Sequence, residues 1–332
     1  MRSRVVSILM ILLMITVVGC SGGQQQNANE ETAQKEKLKV GVIQIVEHPA
    51  LDASRKGFKD LLAEEGYKEG EDVVYDYQNA QGDMSTAQTI AKTFSQKDFD
   101  LILAIATPTS QAVANTIKDT PILITAVTDP KSAGLVDSME QPGGNLTGTS
   151  DLTPVKKQLE LFNKLDRNIK KVGILYNSGE TNSVFLKDLA QRYGEELGLN
   201  VIEAPVTSSS EVYQTAQSLV GRVDGIYVPT DNTIVSAIQS VIKVTNNNNL
   251  PLIVADNNSV KAGALATLGI DYYKLGQQTG EMAVKILKGA NPGDLPIQRI
   301  KEADLIINKG AAEKMNVEVP QELLDEAKKV IK

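Results

Sequence analysis

Residues Leu101–Ala112 have the sequence LILAIATPTSQA, and this stretch decides the fold class of the chain. Its apolar start predicts a buried strand, Thr107–Ser110 predict a tight turn, and the apolar pattern that follows predicts a helix. The turn offers hydroxyls and backbone N–H groups at a helix N-terminus, which suits a carboxylate or a phosphate. The alternative is that Thr107 or Thr109 only caps the helix.

Strands and helices alternate on both sides of this stretch. Apolar strand patterns are separated by amphipathic patterns of about 10–15 residues, which is typical of a mostly parallel sheet with helices on both faces. The other strands predicted in this half of the chain are Leu38–Val46, Asp72–Ala80 and Pro121–Pro130.

The same order recurs at an offset of roughly 130 residues, which indicates duplication of a whole domain. KVGILYNSGE at 171–180 repeats the pattern of KVGVIQIVEH at 39–48. In the same way, GIYVPTDN at 225–232 repeats the pattern of LAIATPTS, and PLIVADNN at 251–258 repeats the pattern of PILITAVTD. We therefore predict an α/β fold of two Rossmann-like lobes with parallel sheets and a Gly-rich junction at 141–153. A helix over Tyr273–Leu287, a strand over Ala303–Asn308 and a helix over Gln321–Ile331 follow.

The composition excludes several classes of function. The chain has 332 residues and a net charge of −7, with acids and bases interspersed, so we expect no nucleic-acid partner. A single cysteine and a single histidine exclude an internal disulfide and a Cys/His zinc cluster, and we assign no metal site, although carboxylates alone are not excluded as ligands. No nucleophile elbow, Walker loop or Gly-x-Gly-x-x-Gly sequence occurs, so we expect neither an enzyme nor a cofactor.

The N-terminus has the pattern of an export signal. Arg2 and Arg4 precede an apolar run over Val5–Val18, and Val17–Cys20 resembles the lipobox of bacterial lipoproteins, whose cysteine is lipidated after cleavage. We predict a signal peptide over 1–19, lipidation of Cys20 and a flexible polar tether over 20–37. A plain signal peptide and an anchor helix are the alternatives.

Polar residues cluster where the predicted strands end, and ligands of open parallel sheets bind beyond the carboxyl ends of the strands. Hydroxyls in the first lobe suit an anion, and carboxylates and amides in the second suit an ammonium group, so an α-amino acid fits both. Individually, Asp and Asn are also common turn formers and caps. The strand-end residues are Gln44, Glu47, His48, Thr107, Thr109, Ser110, Thr128, Asp129, Asn177, Glu180, Asn182, Ser183, Tyr227, Thr230, Asp231, Asn232, Asp256 and Asn257. Of these, our ligand-binding candidates are Gln44, His48, Thr107, Thr109, Ser110, Thr128, Asp129, Asn182, Ser183, Tyr227, Asp231, Asn232 and Asp256.

His48 has three interpretations. As a catalytic base it would need a nucleophile and an orienting acid, for which the sequence has no motif, and we assign no catalytic residue. It can instead line a ligand cleft, or act as a cap or hinge before the helix that begins near Pro49.

Several separate motifs between Leu38 and the C-terminus resemble those of a known family. They are HPALDA (48–53), ATPTSQA (106–112), VTDPKSAGLV (127–136), PGGNLTGTSD (142–151), ILYNSGETNS (174–183), YVPTDN (227–232) and GIDYYKLGQQTG (269–280). The chain is similar to the bacterial ABC-transporter substrate-binding lipoproteins of the type that includes tryptophan-binding and other aromatic-amino-acid-binding members.

This resemblance implies a periplasmic-binding-protein type I fold, in which the chain crosses between the lobes three times. The first lobe would comprise 38–150 and 272–296, and the second 151–271 and 297–332. In this fold Thr/Ser hydroxyls and backbone N–H groups hold the ligand carboxylate, and a carboxylate of the other lobe meets the amino group. Carried over to this chain, the first role falls to Thr107–Ser110 and the second to Asp231 or Asp256.

The resemblance also implies a function. The chain would be lipid-anchored on the extracytoplasmic face of the cell membrane and would deliver a captured amino acid to the permease and ATPase of an ABC importer. Tryptophan, tyrosine or phenylalanine are favoured, but the chain has no Trp and few Phe, so a ring would stack mainly on Tyr227, and branched aliphatic ligands stay open. The alternatives are a sensory module of the same fold, which presents occupancy to a receptor, and an extracellular hydrolase.

Overall fold

The computed structural model describes residues 36–300 and 302–332, within a compact unit that spans Glu36–Lys332. The predicted signal peptide, Cys20 and nearly all of the tether lie outside the described residues. None of the described helices is long and apolar enough to cross a membrane. In chain order the elements are β1 (Leu38–Gln44), α1 (Pro49–Glu64), β2 (Val73–Asn79), α2 (Met84–Phe94), β3 (Leu101–Ile105), α3 (Thr107–Thr116), β4 (Ile122–Val127), β5 (Leu146–Ser150), α4 (Val155–Leu165), β6 (Lys171–Asn177), α5 (Thr181–Leu197), β7 (Asn200–Val206), α6 (Val212–Ser218), β8 (Gly225–Val228), α7 (Asn232–Ser236), α8 (Ile238–Asn247), β9 (Leu252–Val254), α9 (Asn257–Ala262), β10 (Ala266–Gly269), α10 (Tyr272–Leu287), β11 (Gln298–Arg299), β12 (Asp304–Asn308), α11 (Lys309–Lys314), α12 (Gln321–Glu326) and β13 (Lys329–Ile331).

Two sheets form the centres of two lobes. The first has the strand order β2-β1-β3-β4-β5-β11, and all its pairings are parallel. The second has the order β7-β6-β8-β9-β10-β12-β13, and among the described residues only β10 and β12 pair antiparallel. The first five strands of each lobe take the same order. The predicted two-lobed α/β fold with mostly parallel sheets is therefore confirmed.

Each lobe has its own apolar core, because helices cover both faces of a parallel sheet and its central strands are buried on both sides. All residues of β3 and β4 are buried in the first lobe, as are those of β8 and β9 in the second. The chain passes between the sheets after β5, between β10 and α10, and between β11 and β12. These three crossovers agree with the type I fold.

Helix α10 returns the chain to the first lobe. Asp271 caps it by accepting hydrogen bonds from the N–H groups of Tyr273 and Lys274 at 2.9 and 3.3 Å, which satisfies two N–H groups that have no intrahelical partner. Its buried face, with Leu275 and Met282, belongs to the core of the first lobe.

Helices α1 and α10 pack so closely that glycine is needed at their contact. A Cβ atom on Gly276 would lie 1.9 Å from the carbonyl oxygen of Ser54, and one on Gly57 would lie 2.0 Å from that of Tyr273. Both neighbours are backbone atoms, which cannot rotate away. The absence of two side chains therefore sets the distance between these helices.

Three segments differ from the predictions. The Gly-rich junction contains strand β5, and the predicted last helix ends at Glu326, after which Lys329–Ile331 form β13 beside β12. Gln298–Arg299 pair with β5 in the first sheet, so the first lobe extends past the predicted boundary at 296. Strands of two or three residues carry too little periodic pattern to be predicted from sequence.

Candidate functional site

A cavity with an empty volume of about 330 Å³ lies between the two lobes, at the carboxyl ends of strands from both sheets. The lobes touch next to it, where the hydroxyl oxygens of Thr128 and Thr230 are 3.4 Å apart. Gln111 of the first lobe also donates from Nε2 to the Thr181 hydroxyl oxygen of the second lobe at 3.4 Å. The lining residues are His48, Ala50, Leu51, Ala126, Thr128, Asp151, Asn182, Thr230, Asp231, Asn232, Val235, Asp256 and Tyr272.

His48 brings a neutral hydrogen-bond donor to this cavity. It caps α1, and its Nδ1 accepts from the N–H of Leu51 at 3.5 Å, so the proton of the neutral ring lies on Nε2. Burial lowers its pKa to about 4, although the nearby charge of Asp256 and the side chain of Asn232 act in the opposite direction. Nε2 is buried and has no hydrogen-bond partner among the described residues. His48 is therefore both a helix cap and a lining residue, two of the roles that the sequence allowed.

Asp151 and Tyr272 join two of the crossovers. Asp151 directly follows β5, Tyr272 begins α10, and the Tyr272 hydroxyl donates to Asp151 Oδ2 at 2.7 Å. Burial raises the pKa of Asp151, an effect that this hydrogen bond, the nearby Thr128 hydroxyl and the backbone N–H of Asp151 partly offset. The pKa of Tyr272 also lies well above its ordinary value because the ring is buried beside the carboxylate. The second oxygen of Asp151, Oδ1, is buried without a partner in the described structure.

Asn182 brings an amide oxygen from the second lobe. Its Nδ2 donates to Glu180 Oε2 at 3.3 Å and to the carbonyl oxygen of Thr230 at 3.2 Å, which fixes the orientation of the amide. Its Oδ1 is buried and has no partner in the described part of the chain. The cavity thus contains an unpaired acceptor on Asn182, an unpaired acceptor on Asp151 and an unpaired donor on His48.

Asp231 lies beside a second buried carboxyl group, that of Glu180. Asp231 caps α7 by accepting from the N–H of Ile234 at 2.8 Å, and it accepts from the N–H of Asn177 at 2.6 Å. Burial and the charge of Glu180 raise its pKa to about 7, against the lowering effect of these hydrogen bonds. Glu180 itself accepts hydrogen bonds from surrounding amide and hydroxyl groups, among them the Thr233 hydroxyl at 2.8 Å.

Asp256 also lines the cavity from the second lobe. Its Oδ1 accepts from the N–H groups of Asn258 and Ser259, each at 2.9 Å, and its Oδ2 accepts from the Ser259 hydroxyl. Together with Asp151 and Asp231 it gives the cavity three carboxyl groups, whereas no Lys or Arg is among the described residues that line it. Among the described residues no group of His, Cys, Asp and Glu is arranged to hold a metal ion.

The structure brings only part of the predicted site together. The candidates that line the cavity are His48, Thr128, Asn182, Asp231, Asn232 and Asp256. The candidates that do not line it are Gln44, Thr107, Thr109, Ser110, Asp129, Ser183 and Tyr227.

The turn before α3 differs most from its prediction. The cap position is Ala106, with φ of 82° and no side-chain hydrogen bond, so neither Thr107 nor Thr109 is the cap. The Thr109 hydroxyl donates to the carbonyl oxygens of Ile105 and Ala106 at 2.6 and 3.1 Å, and the Ser110 hydroxyl donates to that of Ala106 at 2.8 Å. These two hydroxyls therefore bond the strand end to the helix and do not face the cavity. The Thr107 hydroxyl is buried and has no partner among the described residues.

The other candidates outside the cavity have structural partners. Tyr227 is fully buried in the core of the second lobe, and its hydroxyl donates to Gln158 Oε1 at 2.6 Å. Gln44 Nε2 donates to Asp52 Oδ1 at 2.9 Å, and Asp129 accepts from the N–H of Ser132 at 2.7 Å. Ser183 belongs to the polar network around Asn182: the hydroxyl oxygen of Ser183 lies 3.3 Å from Nδ2 of Asn182.

Sequence reasoning missed several lining residues. Asp151 follows a strand end in the same way as Asp231 and Asp256, and recognising β5 would have identified it. Tyr272 begins a helix that the sequence predicted one residue later. The apolar lining residues had no chemical signal in the sequence. Thr230 was noted only as a strand end. The other lining residues that were missed are Ala50, Leu51, Ala126, Asp151, Val235 and Tyr272.

Comparisons with known proteins identify the family. The family model described as ABC transporter substrate binding protein matches residues 39–331. The chain belongs to this family. It is 45% identical to a tyrosine-binding protein of Clostridioides difficile strain R20291, over 93% of this chain and 90% of that protein. As an ABC-transporter substrate-binding protein, it has the predicted periplasmic-binding-protein type I fold.

Two solved structures of similar sequence match this chain to different degrees in shape. An ABC domain from Streptococcus pneumonia in complex with L-Trp is 40% identical, covers 89% of this chain and 100% of that chain, and has a TM-score of 0.86. The ligand-free, open structure of a substrate-binding protein with adhesive properties from Clostridium difficile is 45% identical, covers 89% and 99%, and has a TM-score of only 0.66. The shape of this chain is thus closer to that of the L-Trp complex than to that of the ligand-free, open structure, although the open structure is the more similar in sequence.

Proposed function

We propose that this substrate-binding protein captures a single α-amino acid with a hydrogen-bonding aromatic side chain, tyrosine or tryptophan before phenylalanine. In this proposal it is lipid-anchored through Cys20 on the extracytoplasmic face of the membrane, catalyses no reaction, and delivers its ligand to the permease and ATPase of an ABC importer. The amino-acid class is supported by the tyrosine-binding relative and by the relative in complex with L-Trp.

The observation that carries the proposal is a set of three polar atoms in one cavity that have no hydrogen-bond partner within the described part of the chain. His48 Nε2 is a donor, and Asp151 Oδ1 and Asn182 Oδ1 are acceptors. A buried polar atom without a partner costs roughly 1–3 kcal/mol, so a ligand that completes these bonds stabilises the closed protein. An amino acid offers a carboxylate for the donor and N–H groups for the acceptors.

The charge of the cavity supports a ligand with an ammonium group. Three carboxyl groups line a space to which no described residue contributes a cationic side chain, and burial already raises the pKa values of Asp151 and Asp231. A positive charge in the cavity would stabilise their ionised forms. Sugars and simple anions lack that charge, so they would leave these carboxyl groups without a counter-charge.

The ligand carboxylate is best accommodated at the N-terminus of α1, and not at the α3 turn that the sequence suggested. Helix α1 has 16 residues, and its first turn lines the cavity with Ala50 and Leu51. The positive end of its dipole and the Nε2–H of neutral His48 both favour an anion at that position. No positive side chain is needed for this arrangement.

The side-chain preference follows from the remaining acceptor and from the apolar wall. Ala50, Leu51, Ala126 and Val235 form apolar surface for a hydrocarbon side chain. If Asp151 takes the ammonium group, Asn182 Oδ1 is left for a further donor. The tyrosine hydroxyl and the tryptophan indole N–H are such donors, whereas phenylalanine and leucine have none.

Calorimetry of the purified protein tests the ligand class. We expect binding in the order tyrosine or tryptophan, then phenylalanine, then leucine, with no heat from glucose, inositol or phosphate. The Asn182→Leu variant should lose the preference for tyrosine over phenylalanine, whereas Asp129→Asn, which lies outside the cavity, should bind as the wild type does. Binding of sugars without binding of any amino acid would contradict the proposal.

Membrane fractionation tests the predicted anchor separately. In cells that process bacterial lipoproteins, the wild type should be found in the membrane fraction and incorporate labelled palmitate. Cys20→Ser should incorporate none and should be released, because one cysteine is the only acceptor for the lipid. Equal labelling of both proteins would contradict lipidation at Cys20.

A further inference from the structure

Asp151 differs from the other carboxyl groups of the cavity in how its oxygens are used. The residue is 4% exposed, Oδ2 accepts from the Tyr272 hydroxyl, and Oδ1 has no hydrogen-bond partner among the described residues. We propose that Asp151 Oδ1 holds the ammonium group of the ligand and that Tyr272 positions this carboxylate. The inference rests on the proposed amino-acid ligand, and Asp151 is not among the strand-end residues predicted from the sequence.

Asp231 and Asp256, the two aspartates that the sequence suggested for the ammonium group, have their oxygens occupied by hydrogen bonds within the protein. Each oxygen of Asp231 accepts from a backbone N–H, of Ile234 and of Asn177 respectively. Each oxygen of Asp256 accepts as well, Oδ1 from two N–H groups and Oδ2 from the Ser259 hydroxyl. Both residues cap helices, and both oxygens of each already accept hydrogen bonds within the protein. An ammonium group gains most from the carboxylate oxygen that has no other donor.

Tyr272 determines where the free oxygen of Asp151 lies. The Tyr272 ring is buried, and its hydroxyl donates to Oδ2 at 2.7 Å, so the carboxylate is held by one oxygen while the other stays available. Burial alone disfavours the ionised form of Asp151, and the Tyr272 hydroxyl and a ligand ammonium both favour it. Because the Tyr272 hydroxyl acts through Asp151, removing that hydroxyl should weaken the binding of ligands that have an amino group more than the binding of those that lack one.

Paired ligands that differ by the amino group test this assignment. L-tyrosine and 3-(4-hydroxyphenyl)propanoate are titrated calorimetrically, the weaker one by displacement, into wild type, Asp151→Asn, Asp256→Asn and Tyr272→Phe. Asp151→Asn keeps an acceptor for Tyr272 and removes the charge, so it should weaken tyrosine binding by roughly 10- to 100-fold, as expected for a hydrogen bond between charged groups. Its affinity for the propanoate should stay within roughly threefold of the wild type.

Tyr272→Phe should reproduce part of this selective loss, whereas Asp256→Asn should change the affinities for both ligands by a similar factor. Selective loss of tyrosine binding in Asp256→Asn, or unchanged tyrosine binding in Asp151→Asn, overturns the assignment while leaving the amino-acid ligand intact. Equal loss of both ligands in Asp151→Asn also overturns it, since that result indicates a structural role. If the wild type binds no amino acid at all, the proposed function fails, and this inference fails with it.

Discussion

Replacing Asp231 by Asn and replacing His48 by Asn should change the slope of the free energy of unfolding against pH in opposite directions. Burial and the charge of Glu180 raise the pKa of Asp231 from 3.8 to about 7, and burial lowers the pKa of His48 from 6.5 to about 4. Between about pH 4 and 6.5 the folded chain therefore binds one more proton at Asp231 than the unfolded chain, and one fewer at His48. In the wild type these two effects on the free energy of unfolding oppose each other.

The sign for each group follows from its shift. The raised pKa of Asp231 contributes stability that is present below pH 3.8 and is lost as the pH rises through 7. The free energy of unfolding of Asp231→Asn should therefore rise relative to that of the wild type over that interval. The lowered pKa of His48 contributes stability that is present above pH 6.5 and is lost as the pH falls through 4, so His48→Asn should gain as the pH falls. One proton corresponds to a slope of about 1.4 kcal/mol per pH unit.

Urea unfolding at pH 4.5, 5.5 and 6.5, followed by circular dichroism, measures these slopes as differences from the wild type. Asn can cap a helix as both native residues do, so any other cost of the substitution should be a constant offset. The variant with both substitutions should regain the slope of the wild type. Difference curves that stay flat with pH for both single variants would refute the assigned titrations.

Two further predictions concern packing. Gly276→Ala should gain about 1 kcal/mol in helix propensity but should still lower the free energy of urea unfolding by a net 1–3 kcal/mol, roughly, because its Cβ would lie 1.9 Å from the carbonyl oxygen of Ser54. Lys285→Ala, exposed on the same helix, is the near-neutral control, and a stabilised Gly276→Ala would contradict the close contact. Tyr227→Phe should cost about 1 kcal/mol of stability through the lost hydrogen bond to Gln158 but leave the calorimetric affinity for tyrosine unchanged, and a large loss of affinity would return Tyr227 to the site.

The fold could be predicted wherever its elements are long and apolar. The strand β5, LTGTS, escaped prediction because hydroxyls stand where apolar side chains were expected. In the folded chain the hydroxyl of Thr149 bonds those of Thr125 and Thr279 at 3.1 and 2.8 Å, which makes a polar strand compatible with burial. These partners come from β4 and α10, far away in sequence, so no local pattern reveals them.

The site could be predicted to the extent that strand ends were recognised. His48, Asn182, Asp231 and Asp256 follow strands that the apolar pattern identified, and all of them line the cavity. Side-chain direction was beyond the sequence: a hydroxyl in the first turn of a helix can face a ligand or bond a preceding carbonyl, and Thr109 does the latter. Spacing alone does not distinguish these two outcomes.

The three crossovers have a consequence for how the chain folds. The first lobe receives α10 and β11 only after five strands of the second sheet, and the second lobe receives β12 and β13 after that. Both cores thus depend on contacts between residues that are far apart in the chain, and such contacts close large loops and slow folding. Neither lobe can fill its core without the segment from Tyr272 onward, so we expect the two lobes to fold together and a chain cut before Tyr272 to yield no stable half.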